Sequence, residues 1–301
     1  MPADVAVAFV DRERELALFQ RMLSGETAKR ILRVLERGEQ GKTFFLLRLF
    51  HECEQQCPPV PAVLLDFDQR RSGLTDYLSV AREVRRYLGD DCTPAICDCE
   101  EAIARGRPLV SIRTGVGDAG VDWGERGRFT EADISDIAGR DSINVSVGDV
   151  SGDMPTVDVA QQRADMGRAL RKDLAGLATS HRRVVLLVDT FEHASEETCA
   201  WLERWLFDAL RLELRHVLLV VAGRPECHTF FAQPRLWSGL VTAIDRFDPF
   251  SDDEIRDHYR QRGIRISEEE MPLLLDLARP SPAMMAQIGD SLEQARGGGG
   301  R

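Results

Sequence analysis

The sequence predicts an α/β protein: a parallel five-stranded sheet flanked by helices, followed by a small helical subdomain. Two observations carry that expectation. Short apolar runs recur at the start of residues 31–50 and at 61–67, 184–192, 216–223 and 240–247, and most lack the alternation of a half-solvated strand. Between and after them lie longer segments with apolar residues at helical spacing, such as Leu78, Ala81, Val84 and Leu88. Alternation of the two kinds is the pattern of strand–helix–strand crossovers. After residue 250 only helical segments remain, at 252–262, 267–278 and 282–295.

Length and composition limit what such a chain does. Its 301 residues fit one large α/β domain with a small helical one, and 43% hydrophobic residues can fill a core. The expected division is an α/β domain over 1–250 with an irregular insertion at 107–155, a helical subdomain over 251–296, and a glycine-rich tail over 297–301. A net charge of −11 disfavours broad nonspecific binding to nucleic acid, while leaving room for a local basic patch. No apolar run approaches a membrane span, and the first ten residues lack the features of a signal peptide. Seven scattered cysteines argue against a disulfide framework and for a reducing cytoplasm.

Taken in order, residues 9–23 enter on a short apolar stretch and become a helix with Leu16, Phe19 and Leu23 on one face and Asp11 at the expected cap. It is either a capped surface helix or a hinge over a nucleotide base. Residues 31–50, ILRVLERGEQGKTFFLLRLF, read as strand, glycine turn and amphipathic helix. That is the order of a phosphate-binding loop, in which backbone N–H groups and a helix N-terminus face one anion. Lys42 brings a point charge to the β- and γ-phosphates, and Thr43 offers its hydroxyl to magnesium. The full pattern G-x-x-x-x-G-K-[ST] asks for glycine where Glu36 stands, although Gly38 lies inside the loop and Gly41 precedes the lysine. Only three of the thirty-nine basic residues are lysines, which singles out Lys42. The plainer alternative is a glycine turn with a solvated lysine.

Cys92, Cys97 and Cys99 lie close together without a zinc spacing, so they read as structural thiols. Residues 107–155 are rich in glycine and aspartate, with Ile143, Val145 and Val147 alternating like one strand. Residues 184–192, VVLLVDTFE, form a buried strand that delivers Asp189 to its C-terminal end, where ligands sit in open α/β sheets. Asp189 fits the metal-holding role and Glu192 that of orienting or deprotonating a water; the alternative is that Asp189 caps the next helix, at 196–211. The run at 216–223 ends beside Arg224, which either reaches a γ-phosphate or sits in a surface turn. Ser251 and Glu254 form a capping box for the first C-terminal helix.

These landmarks together resemble the STAND class of P-loop NTPases, the AP-ATPase and NACHT switches of the additional-strand (ASCE), AAA-like group. FVDRERE is similar to that family's entry motif, GEQGKT to Walker A, VVLLVDTFE to Walker B, VVAGRP to its arginine-bearing sensor strand, and ARPSPAMM to its G-x-P loop. The resemblance covers most of residues 9–293 apart from the insertion. It implies that Gly38, Gly41, Lys42 and Thr43 cradle ATP or ADP, that Thr43 and Asp189 hold Mg2+, and that Glu192 and Arg224 assist hydrolysis. Phe9, Val10, Arg12 and Pro282 would frame the adenine. Asp11, Glu36, Pro280 and Thr190 depart from the family pattern, which implies slow hydrolysis or none.

The resulting expectation is a bacterial signalling or defence switch that binds ATP and works with protein partners or by self-association. The alternatives are a degenerate NTPase serving as an interaction scaffold, and a DNA-handling AAA ATPase.

Overall fold

The computed structural model describes residues 12–35, 41–68, 73–106, 159–224, 230–231, 234–237, 239–247, 251–264, 266–278, 285 and 287–292. The chain divides into two compact units, Met1–Glu101 with Ala160–Arg301, and Ala102–Val159. Almost all described residues belong to the first. The alternation expected at Ile143, Val145 and Val147 lies outside the described residues.

The elements are α1 (Glu13–Ser24), β1 (Ile31–Leu35), α2 (Lys42–Glu54), β2 (Ala62–Asp66), α3 (Tyr77–Leu88), α4 (Pro94–Gly106), α5 (Val159–Gly176), β3 (Val184–Asp189), α6 (Glu196–Leu202), α7 (Asp208–Leu212), β4 (Val217–Gly223), α8 (Pro234–Trp237), β5 (Val241–Ile244), α9 (Asp252–Gln261) and α10 (Met271–Ala278). The five strands form one sheet in the order β2-β3-β4-β1-β5. Every pairing is parallel, with Ile31 opposite Leu219 and Val241, and Asp66 opposite Asp189. This is the fold class that the apolar runs predict. β3 and β4 are buried at every residue because both faces are covered, which is why their sequences run apolar without alternation.

One face of the sheet packs on α1 and α2. Phe19 and Met22 of α1 and Phe45, Leu46 and Leu49 of α2 meet Leu32, Val34, Val185, Leu187, Leu218 and Val220. On the other side, Arg30 donates to the Leu210 carbonyl of α7 at 2.6 Å, and His216 bonds the Leu174 carbonyl of α5 at 2.7 Å. Buried Asp173 of α5 accepts from the backbone N–H groups of Ala95 and Ile96 at 3.0 and 2.8 Å, so a carboxylate sits at the positive end of α4.

Two local departures from the sequence reading have physical causes. Helix α1 starts at Glu13, and its cap position is held by Arg12 at φ 79° with no side-chain cap bond, in place of the expected Asp11 cap. The helix read over 196–211 is interrupted by a π turn at Glu203–Phe207 between α6 and α7. Gly167 of α5 accommodates the Trp205 side chain from that turn: a Cβ there would lie 2.3 Å from the indole. Beyond the sheet, Ile255, Tyr259, Ile264, Met271, Leu275 and Met285 form a separate core. Ser251 and Glu254 make the capping box read from the sequence.

Gly167→Ala should therefore destabilise the protein by roughly 1–3 kcal/mol, the cost of overpacking a filled site. Gly176→Ala, with helical φ −58° and no atom within 4 Å of the added methyl, serves as the control and should be neutral or slightly stabilising. Urea unfolding midpoints of the two variants check this.

Candidate functional site

The C-terminal ends of parallel strands share one edge of the sheet, and the charged residues of the apolar runs gather there. β1 ends at Leu35, and Gly41 then opens α2 with φ 84°, a left-handed conformation that glycine adopts without strain. The α2 N-terminus has no side-chain cap, and no acidic residue lies in its first turn. Its backbone N–H groups and positive dipole end suit an anion. Lys42, the first residue of α2, is 8% exposed.

Although β4 separates β1 from β3, α2 lies against β2, β3 and β4 and so reaches the end of β3. The Thr43 hydroxyl donates a hydrogen bond to the Asp189 carboxylate. Asp189 is 2% exposed, and its Oδ1 also accepts from the Thr190 backbone N–H at 2.9 Å. Burial pushes the Asp189 carboxyl above its ordinary value. The Thr43 hydroxyl pulls it back, the Asp66 carboxylate pushes it up again, and the Thr190 N–H and Lys42 favour ionisation. Lys42, Thr43 and Asp189 thus meet at one edge of the sheet. Asp189 does not cap α6; the Ser195 side chain does, accepting from the Thr198 N–H at 3.1 Å.

Thr190 takes φ 53°, a sparsely populated conformation for a β-branched residue, and turns the chain into a 3-10 turn at Phe191–His193. That turn presents Glu192 to Arg224, one residue past β4. Glu192 Oε2 accepts from the Arg224 backbone N–H at 3.3 Å, and its Oε1 lies 3.5 Å from the Arg224 Nε. The two residues read separately from the sequence are therefore partners of each other. Arg12 is 4% exposed, with its guanidinium 4.4 Å from the centre of the Phe247 ring, which in turn packs edge-on against Phe45 of α2. Phe9, Val10, Gly38 and Pro282 lie outside the described residues, as does Glu36.

Asp66 was missed by the sequence reading. It ends β2 directly beside Asp189, and its Oδ1 accepts from the Asp68 N–H at 2.9 Å. The signal was present: AVLLD is an apolar run ending in aspartate, like VVLLVD. Hydroxyl and carboxylate oxygens from Thr43, Asp189 and Asp66 form a hard donor set that fits magnesium.

No protein-family model matches the chain, and no curated protein matches its sequence. Solved structures do match its fold. The Walker-type ATPase of Pyrococcus abyssi superposes with a TM-score of 0.50 at 13% identity, over 96% of this chain and 69% of that one. Cdc6p from Pyrobaculum aerophilum gives a TM-score of 0.50 at 14% identity, over 99% and 67% of the respective chains. AMPPCP-bound DnaA from Aquifex aeolicus gives 0.50 at 11% identity, over 100% and 67%. The fold is that of the P-loop ATPases, and the chain spans about two thirds of the length of these three.

A buried carboxylate beside a second one weakens folding. The folded carboxyl value of Asp189 lies above the unfolded one, so at neutral pH its ionisation opposes folding. That penalty fades as the pH falls through the raised value into the ordinary carboxylate range. Without nucleotide or divalent cation, Asp189→Asn should gain roughly 1 kcal/mol at pH 7, the usual gain from relaxing a strained site. The gain should shrink on acidification. Thermal melts of both proteins between pH 7 and pH 4 test the sign.

Proposed function

We propose that this chain is an ATP-binding conformational switch of the P-loop type with slow ATP hydrolysis, of the kind its motif order resembles in the STAND class. The observation that carries the reading is the convergence of Lys42, Thr43 and Asp189 on the edge where α2 begins. In this reading the α2 N-terminus and Lys42 bind the phosphates, and Arg12 belongs to the adenine side with Phe9, Val10 and Pro282. Thr43 and Asp189 hold Mg2+, with Asp66 alongside; when bound, the ion offsets the charge of the phosphate oxygens. Glu192 orients the attacking water once Arg224 releases it, and Arg224 turns to the γ-phosphate. The helical segment over 251–296 is the part that moves, and a protein partner or a second copy receives the signal. No disulfide joins any of the six described cysteines, in keeping with a reducing compartment.

A second reading, a scaffold that holds nucleotide without turning it over, is favoured by one observation. Glu192, the candidate for activating water, is engaged by Arg224, and Thr190 rather than a second acid follows Asp189.

Equilibrium binding of a fluorescent ATP analogue with Mg2+ should show Lys42→Ala weakened about tenfold or more, the loss of a charge-assisted contact. If the wild-type protein binds neither ATP nor ADP, the switch reading fails. Turnover separates the two readings: Glu192→Gln should keep nucleotide affinity and abolish phosphate release. A wild-type protein that binds ATP yet releases no phosphate is the scaffold.

A further inference from the structure

The opposite edge of the sheet has a charge character of its own. β3, β4 and β1 are consecutive neighbours, and each is entered through arginine: Arg182 and Arg183 before β3, Arg215 with His216 before β4, and Arg30 before β1. Parallel strands place all these entries on one side, roughly 20 Å from Asp189 at about 3.3 Å per residue of strand.

Their side chains are drawn together by carbonyls. Arg30 Nη1 donates to Leu210 and Leu214, at 2.6 and 3.2 Å. Arg182 Nη2 donates to the Ser24 carbonyl at the end of α1 at 2.8 Å, and Arg183 Nη1 to the Arg215 carbonyl at 3.2 Å. A Cβ on Gly25, the residue that caps α1, would lie 2.9 Å from Arg183 Nη2 and 3.5 Å from Arg182 Nη2, so both guanidinium groups lie over one glycine. Cations at helix C-termini are favourable, and this accounts for part of the arrangement.

Capping leaves a surplus of positive charge. No ion pair among the described residues includes Arg30, Arg182, Arg183 or Arg215. The nearest carboxylates in sequence are engaged elsewhere: Glu213 pairs with Arg171, and Glu26 accepts from the Ser24 hydroxyl at 3.0 Å. The buried Nε of Arg183 has no acceptor. Burial lowers the basicity of Arg30, with Arg183 and Arg215 adding to it, and of Arg183, with Arg182 adding to it. No carboxylate opposes either effect. Arg182 and Arg215 are exposed and Arg183 half-buried, so the surplus faces solvent. In a chain of net charge −11, such a surplus is a local exception.

We propose that this arginine-lined edge is a second oxyanion site, separate from the candidate nucleotide site, which takes the phosphate groups of a polyanionic ligand. Guanidinium forks pair bidentately with phosphate oxygens, and several donors fixed by carbonyl anchors need little further ordering to bind. The shared chemistry is a run of phosphates, supplied either by free polyphosphate or by a nucleic-acid backbone.

The test uses full-length protein carrying Lys42→Ala, so that phosphate binding at α2 does not mask the signal, with and without Arg182→Ala/Arg215→Ala. Calorimetric titrations use inorganic tripolyphosphate, a short single-stranded oligonucleotide and an oligo-glutamate peptide. The expected result is binding of a phosphate ligand that falls about tenfold or more in the Arg182→Ala/Arg215→Ala protein, with affinity weakening as salt rises. Tighter binding of tripolyphosphate assigns a free polyphosphate, and tighter binding of the oligonucleotide assigns a nucleic-acid backbone. The pair Arg182→Lys/Arg215→Lys guards against misfolding: it keeps the charge but not the fork, and should bind more tightly than the alanine pair and more weakly than the parent. Absence of binding, binding indifferent to the arginines, or a preference for oligo-glutamate each overturns the proposal.

Discussion

The hydrogen bond from the Thr43 hydroxyl to the Asp189 carboxylate joins the two halves of the candidate site. One partner opens a helix near the start of the chain and the other ends a strand far along it. Burial makes the bond consequential. In water a hydroxyl–carboxylate contact contributes little net free energy, but a carboxylate sealed from solvent must be met by donors or it takes up a proton. Asp189 has donors from Thr43 and Thr190, an adjacent ammonium from Lys42, and an opposing carboxylate from Asp66. In the proposed reading, a bound cation would offset the opposition between the two aspartates.

How much of this could be read from the chain varies with the range of the interaction involved. β3 and β4 were legible because complete burial on both faces writes itself as unbroken apolar runs, and the less buried β1, β2 and β5 because short apolar runs alternate with helical segments. The positions of Lys42 and Thr43 at a helix start and of Asp189 at a strand end were legible because loop, helix start and strand end have fixed chemistry. The π turn was not, since Glu203–Phe207 keeps a helical pattern, and the approach of its Trp205 to Gly167 is a contact between segments far apart in sequence. The left-handed Arg12 was not, since Phe247, on which its guanidinium packs, lies more than two hundred residues away in sequence. The pairing of Glu192 with Arg224 was equally hidden: each residue was visible, but their union depends on β3 and β4 being neighbours.

The two edges of the sheet divide the chemistry by charge. Carboxylates end β2 and β3, whereas arginines enter β3, β4 and β1. The acidic side is built around one lysine and a helix N-terminus. The basic side is built around carbonyls at helix ends. Both arrangements follow from parallel topology, which collects like positions of each strand on a common rim.

The strand order also bears on how the chain is made. β1 pairs only with β4 and β5, whose residues Leu219 and Val241 stand opposite Ile31. The strand that feeds the lysine-bearing helix leaves the ribosome well before either of its partners. Contacts of such long range make for late, slow closure of that part of the sheet. A half-made molecule therefore carries the glycine–lysine–threonine segment without the neighbouring strands that would position it, and an anion site built on that segment waits for β4 and β5.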